Sequence, residues 1–336
     1  MENTEKKKLP EGTGRLGLVD HIRMIREKPL FPLVFPLMVL VLLVIGFGIA
    51  TGGGFFRKTV LLGVFNQALI IATVSTAMTF VFAAGNMDIS SGSAMTFSAV
   101  AGVFAYNATD SVFVMVVVCL LVGVALMSFN GLVHALFGVR TIIISIVMMQ
   151  LYSAFVSLIL GPDTVSMDYG LCRELENAGF RNVSFLLFFG LCMVLFHSTS
   201  VGRKLKFTGG NARCARQTGI QYKHMVMISF MVAGLGVGLS AVFSIIRTST
   251  VGATLGAGMG MDVMLAVVLG GMSIFGGSRS NAYAGLLGAV TVSTLNKGLL
   301  MCDVSPMLIQ GVRGVVFLLL VFLNSERPAT LPSSQD

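Results

Sequence analysis

The chain has 336 residues, of which 55% are hydrophobic and 11% charged, less than half the charged share of an ordinary soluble domain. The apolar residues gather in runs of 16 to 25, long enough to cross a hydrocarbon core of about 30 Å at about 1.5 Å per residue; this excludes a soluble globular protein and leaves no room for an added soluble domain. The net charge of +8 does not point to nucleic acid, because the excess sits on a few loops, as orientation in a membrane demands.

Residues 1–30 are hydrophilic. Within them LVDHIRMIREK (18–28) puts Leu18, Ile22 and Ile25 on one helical face, the pattern of a helix lying on a membrane surface. Ten spans are expected after it, at 31–50, 59–83, 90–106, 111–129, 141–160, 183–198, 225–246, 261–275, 281–300 and 306–323. Residues 31–323 thus read as one all-α polytopic helix bundle, flanked by tails at 1–30 and 324–336. With the basic N-terminal tail in the cytoplasm, Arg140, the loop 199–224, Arg279 and Arg327 all fall inside, and the acidic loop 161–182 falls outside. Both termini are then cytoplasmic. Small residues recur at helix-packing spacing, Ala284 with Gly288, Gly285 with Ala289, and Gly234, Gly236 and Gly238 within one span, and predict close helix contacts.

AAGNMDISSGS (83–93) interrupts this pattern. Asp88 or Ser90 is placed to cap the helix that continues through Gly92, Ser93 and Thr96. It reads either as a plain cytoplasmic turn or as irregular backbone at membrane depth, which is tolerated only inside protein or beside water. In the second case Asn86, Asp88, Ser90 and Gln67, the densest polar group among the apolar spans, border a solute path, with Ser93 and Thr96 above them. Asp262, at the start of a span, is a further polar candidate.

FTGGNARCARQTGI (207–220) interrupts it again. Gly209 and Gly210 predict a sharp turn, Asn211 a helix cap, residues 212–218 about two helical turns, and Gly219 a stop. Arg213 and Arg216 share a face. The segment is either a positive-inside loop or a short helix that leans on a partner, since a helix this short is unstable alone.

No nucleotide-binding GxxxxGK[ST], no HExxH and no GxSxG occurs, and the five cysteines lack metal-ligand spacing. Neither an enzyme, a cofactor nor a metal site is expected. Charges inside the spans are few; Arg313 is the one strong basic intrusion. That is thin for a proton relay.

Four motifs in order, GNMDISSGS, GGNARCARQTGI, Met261-Asp262 followed by AVVLGGMSIFGGSRS, and AGLLGAVTVSTLNKGLLMCDVSPMLIQGVRG, resemble the permease subunits of bacterial ABC importers for monosaccharides such as ribose, galactose, xylose and arabinose. The resemblance covers roughly 60–323. It implies a ten-span permease in the bacterial inner membrane, paired with a second permease chain. An ATPase subunit would dock on the inner face, and an extracytoplasmic solute-binding protein would deliver the solute. It also implies that Gly209, Gly210, Asn211, Ala212, Arg213, Arg216 and Gly219 belong to a coupling helix seated on the ATPase. Ala212-Arg213 stands where the family carries acids, so this face is more basic than usual. The rival expectation is an ATP-independent carrier or channel for a small polar solute.

Overall fold

A computed structural model of the chain describes residues 31–177, 179–273, 276–278 and 280–324. The expected surface helix at 18–28, the tail 1–30, Arg279, and the second tail beyond residue 324 with Arg327 lie outside the described residues. Thirteen α-helices account for almost all of the rest. In chain order α1 is Phe31–Ala50, α2 Lys58–Ala83, α3 Ser91–Thr109, α4 Val112–Phe137 and α5 Thr141–Leu160. There follow α6 Tyr169–Asn177, α7 Phe180–His197, α8 Ser200–Gly210, α9 Ala212–Gln217 and α10 Tyr222–Thr248. The last three are α11 Met259–Leu269, α12 Tyr283–Met301 and α13 Pro306–Asn324. Two strands of two residues, β1 Val165–Ser166 and β2 Thr250–Val251, pair antiparallel, Val165 opposite Val251.

Six of these helices, α2, α4, α5, α7, α10 and α12, are both long and apolar enough to cross a membrane. The apolar parts of α1, α11 and α13 are shorter. Eleven residues in α11 reach only about 16 Å, so irregular backbone on either side of it must make up the depth of any crossing. The expected span 261–275 is accordingly corrected: the helix ends at Leu269, before the glycine pair Gly270-Gly271.

Burial separates centre from rim. In the apolar windows of α2, α10 and α12, 61%, 67% and 61% of residues are buried, against 22%, 22% and 28% in α4, α5 and α7. A helix apolar all round belongs in a core or in lipid; α2, with every residue from Ala68 to Ala83 buried, takes the core. Glycine lets the centre close up. A Cβ on Gly234 would lie 2.5 Å from the Cα of Val124, and one on Gly238 2.5 Å from the Cys119 carbonyl oxygen, so α4 and α10 cross backbone to backbone. Gly285 meets α2 in the same way, 2.5 Å from the Thr76 nitrogen.

Contacts sort the connections into two ends. At one end the 84–90 segment meets Thr141, and His134 meets Tyr222. At the other, Met167 N–H donates to the Ser249 carbonyl (2.9 Å) and Asn107 reaches Ser166. The first end carries Arg140, Lys204, Lys206, Arg213, Arg216 and Lys223 and, among the described residues, no exposed acid; the second carries Asp110, Asp163, Asp168, Glu174 and Glu176 together with Arg173, Arg181 and Arg247.

Candidate functional site

The break after α2 is built around one acid. Asp88 Oδ1 accepts from the Ser90 backbone N–H (2.7 Å) and hydroxyl (2.6 Å), and Oδ2 accepts from Asn130 Nδ2 (3.0 Å). Asn130, on α4, also donates to Ser90 Oγ (2.7 Å), and its carbonyl oxygen accepts from the Tyr152 hydroxyl on α5 (2.8 Å). Asp88, Ser90 and Asn130 are all at most 1% exposed. A buried polar group without a partner costs about 1–3 kcal/mol; here both carboxylate oxygens are satisfied, so the cluster ties α3, α4 and α5 together. Of the two capping candidates, Asp88 is the one that holds the turn, since the Ser90 side chain makes no cap bond to α3. Asn86 is also buried.

One turn along α4 from Asn130, His134 Nδ1 lies 2.6 Å from the Val139 carbonyl oxygen. A carbonyl can only accept, so Nδ1 donates there, and Nε2 lies 3.1 Å from the Tyr222 hydroxyl. The Arg216 guanidinium stands over the Tyr222 ring, 5.3 Å from its centroid. Contacts therefore run from α9 through Tyr222 to His134, one helical turn from the Asp88 cluster on the same helix.

The basic segment differs from expectation at its start. Gly209 and Gly210 do not form a turn; they are the last residues of α8. Thr199 caps α8 by accepting from the Val201 N–H (3.2 Å). Gly209 serves close approach: a side chain there would strike the Ala83 carbonyl at the end of α2 and lie 2.9 Å from the Gly277 nitrogen. The turn is made by Asn211 in extended conformation (φ −159°, ψ 103°), whose Oδ1 accepts from the N–H groups of Arg213 (3.0 Å) and Cys214 (3.1 Å). At the far end Gly219 has φ +81°. Its N–H bonds to the Arg216 carbonyl and that of Ile220 to the Ala215 carbonyl, the paired closure that a glycine in the left-handed region allows. Ala215 is buried and Ala212 half-buried, while Arg213 and Arg216 are exposed. α9 is thus held by its inner face and presents its charges outward.

Two neighbouring cavities lie toward the other end. One, of about 230 Å³, is lined by Ser93, Thr96, Ser153, Ser157, Thr254 and Gly256, with the Ser93 and Ser153 hydroxyls 2.8 Å apart. The other, of about 250 Å³, is lined by Gln67, Ser244, Arg247, Thr248, Asp262 and Arg313. Ala257 borders both. The chain between β2 and α11 forms the partition, pinned by the Gly256 N–H to Thr96 Oγ1 (2.9 Å). Asp262 Oδ1 lies 3.0 Å from Arg313 Nε but off the N–H axis, so that contact is ionic; the N–H itself points to Asn296 Oδ1 (2.9 Å). Asn296 Nδ2 donates in turn to Asp262 Oδ2 (3.2 Å).

Of the residues read as a solute path, Ser93 and Thr96 line the first cavity and Gln67 and Asp262 the second. Asn86, Asp88 and Ser90 line neither. Asn130, Tyr152, Arg247 and Asn296 were not singled out by sequence reasoning. Arg247 had a signal, the lone charge at the end of an apolar run; the others are single polar residues inside helices.

The family model described as "Branched-chain amino acid transport system / permease component" matches residues 60–321, from the start of α2 into α13, and so spans both cavities and α9. The chain belongs to this family. Ribose import permease protein RbsC of Escherichia coli K12 is 26% identical over 283 residues, 81% of this chain and 88% of its own length. Galactofuranose transporter permease protein YtfT of the same strain is 27% identical, covering 79% of each chain. Fructose import permease protein FrcC of Rhizobium meliloti is 26% identical, over 87% of this chain and 85% of its own. All three are named as permeases, not as enzymes. No solved structure matches the chain.

Proposed function

We propose that this chain is the membrane permease subunit of an ATP-driven ABC importer, moving a monosaccharide or similar small polar solute into the cytoplasm by alternating access. Its ten helices α1–α5, α7 and α10–α13, with the irregular backbone beside α11, would form ten crossings of the bacterial inner membrane, with residues 31–323 as one permease domain and the tails 1–30 and 324–336 in the cytoplasm. The basic end then faces the cytoplasm, by the positive-inside tendency.

The observation that carries the reading is α9: a six-residue helix, capped at both ends, seated on the bundle by Ala215 and turning Arg213 and Arg216 outward. A topology signal needs only charge, not this shape. α9 is read as the coupling helix of an ATPase subunit, with Gly209 setting α8 against α2 and Asn211 and Gly219 shaping the ends. ATP hydrolysis belongs to that partner. Ala83 and Gly277 touch α8 at Gly209, so a push on α9 is delivered to the end of α2, whose other half bears Gln67 at the second cavity. Gln67, Ser93, Thr96 and Asp262 would lie on the solute path; Asn86, Asp88 and Ser90 would hold the break that bounds it. A solute-binding protein delivers at the far end, and a second permease chain covers part of the rim.

The test is Arg213→Glu with Arg216→Glu, at exposed positions that carry no fold contact beyond the Tyr222 ring. The cognate ATPase should no longer co-purify, or should hydrolyse ATP without uptake into vesicles, because two reversed charges oppose an acidic groove. Normal co-purification and uptake would return the chain to the rival reading, a carrier or channel that works without ATP.

A further inference from the structure

The second cavity is not balanced in charge. Three guanidinium groups and two carboxylates lie at or beside it. Arg313 is matched by Asp262 at 3.0 Å, and Arg181 by Glu176 at 3.3 Å. Arg247 lines the cavity and makes no hydrogen bond or ion pair with any described residue. The charges it feels most, Arg181 and Glu176, are already committed to each other. One positive charge is therefore left over. Nor is Arg313 exhausted by its partners. Asp262 and Asn296 both engage it at Nε, and neither Nη has an acceptor among the described residues. Asp262 and Asn296 hold this guanidinium at Nε, and Arg313 lines the cavity.

We propose that the cavity takes a small polyhydroxylated solute carrying one carboxylate, a sugar acid rather than a neutral sugar. A guanidinium presents parallel N–H groups that match a carboxylate in two-point contact, and Arg247 is the group with no other partner. Gln67, Ser244 and Thr248 supply the mixed donors and acceptors that hydroxyls need. Arg247 is exposed beside the cavity, and only an anionic occupant gains from its charge, which favours the acid over a neutral sugar. A dianion would exceed the single surplus charge. The inference rests on the reading of this cavity as part of the solute path, and it departs from the neutral sugars in the relatives' names.

The probes are D-galacturonate and D-galactose, which share the ring hydroxyls and differ only in the carboxylate at one carbon. Each is titrated onto the full chain in lipid nanodiscs, without ATPase or binding protein. Galacturonate should bind about tenfold tighter or more, as expected for one charge-assisted contact, and the preference should shrink as salt is raised. Arg247→Gln should erase it at unchanged melting temperature, and Arg247→Lys should keep part of it. Equal binding of the two sugars, binding of neither, or a preference that survives Arg247→Gln overturns the proposal. None of these outcomes touches the ATPase, so the importer reading stands or falls separately on Arg213 and Arg216.

Discussion

Asp88, in the break between α2 and α3, and Asp262, at the start of α11, are both acids buried among apolar helices, and each is bridged by an asparagine. Around Asp88, Asn130 links the acid to Ser90 and Tyr152, every oxygen of the acid is used, and the group lines neither of the two cavities. Around Asp262, Asn296 links the acid to Arg313, one carboxylate oxygen has only an ionic contact, and both Asp262 and Arg313 face open space. A polar cluster that satisfies itself fixes a conformation. One that keeps spare donors beside a cavity is equipped to take a guest. The two look alike in sequence; they differ in what is left unbonded.

Removing the bridge is the sharpest way to break this contrast. Asn130→Leu strands Asp88 Oδ2 in a buried site, while the Tyr152 hydroxyl keeps the Leu126 carbonyl at 3.0 Å; it should cost about 3 kcal/mol, seen as a large fall in melting temperature in detergent. Asn296→Leu should cost less, about 1–2 kcal/mol, because cavity water can take over the freed groups, and should instead alter solute binding. Equal losses from the two variants would remove the distinction. Packing at the basic end gives a middle-sized effect. Gly209→Val pushes a side chain at the Ala83 carbonyl and should cost about 1–3 kcal/mol, whereas Gly210→Ala, whose added carbon would meet only the Gly277 Cα at 4.0 Å, should stay within about 0.5 kcal/mol. If both are silent, α8 is not seated on α2 as described. The smallest expected change is Asn211→Ala, about 1 kcal/mol of local stability. It should appear as faster hydrogen exchange at the Arg213 and Cys214 amides and leave the Asp88 cluster untouched.

Long apolar runs made the helices legible in sequence, because burial in lipid or core asks only for hydrophobicity and length. A helix stands at each of the ten positions read as spans, with bounds agreeing to within a few residues apart from α4, which runs eight residues further to Phe137, and α11, which stops early at Leu269; six of the ten are long and apolar enough to cross a membrane. α6, α8 and the β1–β2 pair were not foreseen. They are short or polar, and tertiary partners such as Ala83 for α8 and Ser249 for the β1 end stabilise them. Asn211 and Gly219 were readable as caps since capping is local. Gly209 was misread, because a glycine placed for close approach and one placed for a turn are the same letter. Of the cavity lining, Gln67, Ser93, Thr96 and Asp262 were visible as polar residues among apolar runs. Asn130, Tyr152 and Asn296 were not singled out, since each gains meaning only from a residue on another helix.

The central claim is that the space beside α2, α10 and α11 opens and closes under control of a nucleotide-driven partner bound at α9. A single cysteine at Thr248, in a chain with Cys119, Cys172, Cys192, Cys214 and Cys302 replaced, reports on it directly. Its reaction with an impermeant thiol reagent is followed in proteoliposomes holding the complete importer with the far end outward. The rate should change several-fold or more between nucleotide-free and ATP-trapped states, and Arg213→Glu with Arg216→Glu should abolish that change. A rate that is the same in both nucleotide states would contradict the account.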